Sequence, residues 1–178
     1  MPNELDWNAA EAAVYAWVKA AFGALVVRWV DPNKAEPSTD YASISLGDAL
    51  GLGMPEQQIH YSASRDGAGQ GVEIRTGGTE ELLLTISVYT QAVYGADSAL
   101  SKTAKARNKL AALETSERTA MRAAGVTVSR FSSVRSLPTL AGSAFRGVAI
   151  LEVRLYAQDF ASTYTTWIEH VTSTLHVT

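Results

Sequence analysis

Residues 134–160 read VRSLPTLAGSAFRGVAILEVRLYAQDF, and the run from Ala144 onward decides the fold. The odd positions Phe145, Gly147, Ala149, Leu151, Val153, Leu155 and Ala157 are all apolar, whereas the even positions mix Arg146, Glu152, Arg154 and Tyr156 with Val148 and Ile150. A period of two sends successive side chains to opposite faces of a strand, so one face lies on a core and the other is half wet. A Ser/Thr-rich stretch at 162–166 and a final extended segment, WIEHV at 167–171, close the run.

Around it stand 178 residues, enough for one domain with its own core, and the reading is of a single domain over 1–178. Apolar residues at 47% and charged residues at 19% make a globular composition, neither disordered nor fibrous. The absence of cysteine removes disulfides, thiolate nucleophiles and sulfur-based zinc sites together. The start, MPNELDWNAAEAA, has no basic region followed by an apolar run, and no apolar stretch approaches the roughly 20 residues that span a bilayer. A soluble protein made in a cytoplasm, with no membrane partner, is expected.

Net charge is −3 but unevenly placed: residues 1–97 hold 13 acidic and 5 basic side chains, and residues 102–135 hold 8 basic and 2 acidic. Such polarity suits a solvated helix face, or acidic and basic surfaces that meet between copies in a head-to-tail ring.

Moving outward, residues 6–22 predict a helix with Ala10, Val14, Trp17 and Ala21 on its buried side, a capping box from Asn8 and Glu11, and Gly23 just past its end. Trp7 and Trp17 fall on nearly opposed faces, so one of them lies at an end or an interface. Residues 24–30 (ALVVRWV) and the alternating 41–46 (YASISL) read as strands. Gly47, Gly51, Gly53, Gly67 and Gly69 surround an extended piece at 57–64 and suggest a projecting arm or hairpin. Residues 72–76 and 81–91 read as two strands joined by a Gly77-Gly78 hairpin turn. Helices follow at 96–114, with Leu100, Ala104, Ala111 and Leu113 buried, and at 116–124, capped by Ser116 and stopped by Gly125. A strand at 126–133 and the Leu137-Pro138 loop lead into the long strand. The fold class is α+β: a mainly antiparallel β-sheet packed with an N-terminal helix and a central helix pair.

Chemistry is sparse. His170 and His176 are six residues apart on a strand, too far to chelate one ion, and His60 stands alone, so no metal site is expected. The loop SRDGAGQG at 64–71 lacks a Gly-Lys-Ser/Thr ending and opens no helix, so it does not cradle phosphate. Glu80, Glu81 and Asp97 serve as edge protection and helix-dipole partners and not as an acid/base pair. Lys102, Lys105 and Lys109 form one helix stripe, Arg118 and Arg122 another. A pI near 5.6 and the lack of interleaved aromatics point to a solvated or partner-facing surface, not a nucleic-acid reader. Tyr89, Phe145, Tyr156 and Trp167 read as core or interface residues. No cofactor and no catalytic residue are expected.

The chain resembles the tail terminator, or neck terminator, proteins of long-tailed bacteriophages. The likeness runs through the N-terminal helix, ELLLTISVYTQ, MRAAGVTV, VRSLPTLAGSAFRGVAILEVRLYA and WIEHV, from about Ala9 on. It implies a structural virion protein, assembled in the bacterial host cytoplasm, that forms a homohexameric ring, caps the tail tube, stops its polymerisation and joins the tail to the head connector. The implied partners are its own copies, the tail tube protein and a head-tail connector or head-completion protein, with DNA only passing through the lumen. Subunit-interface candidates are Lys102, Lys105, Lys109, Arg146, Glu152 and Arg154, with Arg65 and Asp66 on the arm. Two alternatives stand beside it: another ring-forming head-completion or tail-completion protein, and a small α+β enzyme whose site is built from scattered Ser, Asp and His residues.

Overall fold

In the computed structural model, which describes residues 5–47, 50–51, 56–62, 71–112, 115–141 and 144–166, the expected long strand is β9 (Ala144–Thr166). It pairs antiparallel with β5 (Gly71–Thr90) along all 20 residues of the latter, from Gly71 opposite Thr166 to Thr90 opposite Gly147. Strands usually run 3–10 residues, so this ladder, about 65 Å long at about 3.3 Å per residue, is the spine of the molecule. On one side of it β2 (Tyr41–Leu46) pairs antiparallel with β5, and β1 (Val26–Trp29) pairs parallel with β2. On the other side β6 (Val126–Phe131) pairs antiparallel with β9, giving the order β1-β2-β5-β9-β6. The short strands β3 (Leu50–Gly51) and β4 (Glu56–Ser62) add to β5, and β7 (Arg135–Ser136) and β8 (Thr139–Ala141) add to β9.

Three helices among the described residues, α1 (Trp7–Phe22), α2 (Ala99–Leu110) and α3 (Ser116–Ala123), bury one face of this sheet. Val14, Trp17, Val18, Leu110 and Met121 from the helices meet Ile44, Leu84, Ile86, Leu151 and Leu155 from the strands, all nearly or fully buried. At about 1.5–3 kcal/mol for each fully buried large apolar side chain, this two-layer core is the main favourable term. The α+β expectation is met, and the odd positions of β9 from Ala149 to Ala157 are the core face. Phe145, placed on that face by alternation, is 65% exposed.

Several local expectations are corrected. Gly77 and Gly78 do not turn the chain: they lie inside β5, where pairing with Phe160 and Asp159 of β9 overrides the local turn signal. Asp6, not Asn8, caps α1 by accepting from the Ala9 N–H at 3.1 Å, while Gly23 ends the helix at φ +62° as anticipated. Helix α2 is shorter than 96–114 and buries Ala99, Thr103, Ala106 and Leu110, leaving Leu100 45% exposed. Leu113 lies outside the described residues. Thr115, one residue before Ser116, caps α3. Trp17 is buried, and Trp7, the first helical residue, is the exposed member of the pair. Within 47–71 the described pieces β3 and β4 are paired to β5, and Arg65 and Asp66 lie outside the described residues.

Strand β1 forms one margin of the sheet. The Val30 N–H donates to Ile44 O in the parallel ladder, so alternation turns the peptide groups of Leu25, Val27 and Trp29 away from β2. Two of the three outward carbonyls are taken by α1: the Tyr15 hydroxyl donates to Val27 O at 3.0 Å and Lys19 Nζ to Leu25 O at 2.8 Å. A bare edge is a template for strand addition, and covering it removes that hazard.

The other close fit is at Gly147, where a Cβ would stand 2.5 Å from Ala92 O and 2.7 Å from Thr90 Oγ1. Gly78 has nothing within 4 Å of its Cβ position. Gly147→Ala is therefore expected to lower unfolding stability by about 1–3 kcal/mol, the usual range for overpacking. Gly78→Ala is expected to stay within about 0.5 kcal/mol of the native chain. Urea denaturation of both variants checks this, and equal stabilities would contradict it.

Candidate assembly surfaces

The sequence stripe Lys102, Lys105, Lys109 falls on one side of α2, because residues three and four apart share a helix face. The structure sets that face against the end of α1 and the start of β1. Between them runs a groove of about 520 Å³, lined by Phe22, Leu25, Val26, Ala106 and the three lysines. Lys102 is committed within the chain: its Nζ meets Asp40 Oδ2 at 2.6 Å, both side chains about one-quarter exposed. Burial opposes the Asp40 charge most strongly, but the hydrogen bonds from Lys102 and from the Gln91 N–H outweigh it and hold the carboxyl below its ordinary value. Lys105 and Lys109 are exposed, and among the described residues neither makes an ion pair.

The sheet face opposite the helices is the second surface. Strand alternation puts Tyr41, Ser43 and Ser45 of β2 there, beside Tyr89, Ser87 and Thr85 of β5 and Val148, Ile150 and Glu152 of β9. One end is covered by the connection from β1 to β2. Arg146 Nη1 meets Glu36 Oε2 at 3.1 Å, Arg28 Nη1 donates to Ala35 O at 2.8 Å, and the Arg28 guanidinium stacks 4.8 Å over the Tyr41 ring. Tyr41 in turn stacks on Tyr89 at 4.7 Å. Burial, with Glu36 adding to it, pushes the Tyr41 hydroxyl above its ordinary pKa.

Past this strap the face opens. Ser45, Thr85, Ser87, Ile150 and Glu152 are partly exposed, Leu83 is 38% exposed, and Arg154 is exposed with its Nη1 on Glu81 Oε1 at 2.6 Å. Arg130 stands across from Arg154 on β6. The centre is thus a floor of small hydroxyls between Leu83, Ile150 and charged margins. Four strands at about 4.8 Å and six residues at about 3.3 Å make it roughly 20 Å square, about half of what one partner contributes to a standard interface.

The expected residues therefore divide. Lys102, Lys105 and Lys109 share the groove, and Arg146, Glu152 and Arg154 share the open face, with Arg146 and Arg154 already ion-paired inside the chain. Arg118 is corrected from a surface cation to a buried one. Its guanidinium donates to Leu110 O at 3.4 Å and lies 5.9 Å over Trp17, and burial and Arg122 lower its pKa. It ties α3 to α1 and α2. His170, His176 and Trp167 lie outside the described residues. Sequence reasoning missed Asp40 and the strap, whose partners are 62 and 110 residues apart in the chain and carry no local signal.

Among the described residues no three His, Asp or Glu side chains stand close enough to hold a metal ion, and no helix is long and apolar enough to cross a membrane.

Comparison with known proteins adds three findings. The family profile described as phage neck terminator protein matches residues 8–178. The fold is similar to that of the PVC sheath/tube terminator of an extracellular contractile injection system in its extended state, with TM-score 0.55 and 13% identity over 99% of this chain and 65% of that one. The chain thus spans 65% of the length of that terminator. A chain from the virion of a native gene transfer agent particle matches at 16% identity and TM-score 0.30, over 85% of this chain and 94% of that one. No curated protein matches significantly.

The Asp40 carboxyl, lowered in the folded state, contributes stability that is present above its unfolded value of about 3.8 and lost as pH falls through the folded value. Asp40→Asn is expected to reduce the melting temperature at about pH 6, with the gap from the native chain closing toward about pH 2. An undiminished gap at low pH, measured by thermal denaturation, would contradict the assignment.

Proposed function

We propose, because the chain belongs to the phage neck terminator family, that it assembles as a homohexameric ring that caps the completed tail tube, stops its polymerisation and joins the tail to the head connector. Its place is the virion. The observation that carries the reading is the family match over nearly the whole chain, and the two-sided subunit supports it. The lysine groove lies on the helix side of the sheet and the hydroxyl floor on the other. A ring needs such heterologous contacts, since each copy must offer one surface to the copy before it and a different one to the copy after.

The subunit works as a single α+β domain with no catalytic step. Its partners are five further copies, the tail tube protein on one rim and a connector or head-completion protein on the other, and DNA only passes through the lumen. Assembly takes place in the cytoplasm of the bacterial host. Lys105 and Lys109 serve the ring contact, as do Glu152 and Arg154 on the open face; Lys102 and Arg146 act mainly by fixing those surfaces through Asp40 and Glu36. Arg65 and Asp66 belong to the same set of ring-contact residues.

The test adds purified protein to polymerising tail tube protein and images the product. Capped tubes of arrested length bearing a sixfold ring are expected. A protein that stays monomeric alone and on tubes, while tubes lengthen unchecked, would sink the reading. Ser87→Arg, on the hydroxyl floor, is expected to abolish ring formation while the melting temperature moves by no more than a few degrees. Rings that persist in this variant would remove the open face from the contact.

A further inference from the structure

The lysine groove has the apolar Phe22, Leu25 and Ala106 in its lining and two lysines that make no ion pair among the described residues, and such a surface favours an extended segment that carries both apolar side chains and a carboxylate. We infer that residues 167–177 of a neighbouring copy occupy it, an inference that rests on the ring reading. Their sequence is WIEHVTSTLHV. Bound as an extended strand, they turn Trp167, Glu169, Val171, Leu175 and Val177 to one side. The aromatic and aliphatic side chains meet Phe22 and Leu25, and Glu169 meets Lys105 and Lys109.

Sheet register shows why the occupant comes from another copy. The groove stands at Val26, which is opposite Tyr41, which is opposite Tyr89, which is opposite Val148. Thr166, the last described residue, is 166 − 148 = 18 residues further along β9, paired with Gly71 at the far end of the spine. That separation is about 60 Å of strand. Trp167 to Val171 extend at most about 18 Å beyond Thr166, and Val177 about 40 Å, so none of them reaches the groove of its own chain. The far end of one subunit's spine is thereby delivered to the near end of the next, which repeats around a ring without a free end.

The absence of native cysteine makes the contact directly readable. The full-length chain carrying Lys109→Cys and Val171→Cys, assembled and imaged as rings, is expected on mild oxidation to lose its monomer band to a covalent ladder running beyond the dimer. Each single-cysteine variant is expected to stop at dimer or below. Intact rings of the double variant that give only monomer, or a faster-running internally cross-linked monomer, would overturn the inference while leaving the ring reading in place. A charge exchange supplies the second measurement. Lys105→Glu with Lys109→Glu is expected to shift the assembled fraction to free subunit, and adding Glu169→Lys is expected to restore it. Failure of restoration with the fold intact by circular dichroism counts against Glu169 as the partner of the two lysines.

Discussion

The pairing of β5 with β9 is the constraint on which everything else in this structure depends. Twenty consecutive residues of β5 are held opposite β9 without a register shift, and a slip of one residue would move Leu84, Ile86 and Leu151 out of the core and put Ser87, Thr85 and Glu152 in. Strands β2 and β6 take their places from this ladder, and α1, α2 and α3 pack where its apolar face is widest. One ladder therefore fixes both the buried side and the open side. The hydroxyl floor is as much a product of the register as the core is.

Charges are arranged to hold segments onto that frame before they serve any partner. Arg146 and Arg28 pull the connection from β1 to β2 over one end of the open face, and Lys102 draws Asp40 against α2. Each is a partly exposed contact worth on the order of 1 kcal/mol at most. Their value is positional: among the described residues they leave Lys105 and Lys109 outside the ion pairs of the chain. Arg118 does the same inside the helix layer, where its guanidinium closes the end of α2 against Trp17.

The sequence was most readable where periodicity was long. Alternation in 144–157 and 81–90 gave the spine and its core face, and the helical spacing of Ala10, Val14, Trp17 and Ala21 gave the buried side of α1. It was least readable where short signals compete. Gly77-Gly78 is a turn by local chemistry and a strand by virtue of its partners. Asp6 and Asn8, or Thr115 and Ser116, are equally good caps until the chain's entry angle selects one. In α2 the apolar Leu100 misdirected the face because alanines and a threonine do the packing. The lysine stripe was legible from spacing, whereas the groove beneath it needed α1 and β1 to arrive from elsewhere. No pattern in the sequence pairs Tyr15 with Val27 O.

That last contact bears on how a finite object is made from repeating parts. Outward backbone acceptors on a sheet margin invite one more strand, then another, and an aggregate of indefinite length follows. Here Tyr15 and Lys19 spend side chains from the packed helix on silencing two of those acceptors. Two of the three outward acceptors on the β1 margin are thereby closed to a further strand by the subunit's own helix.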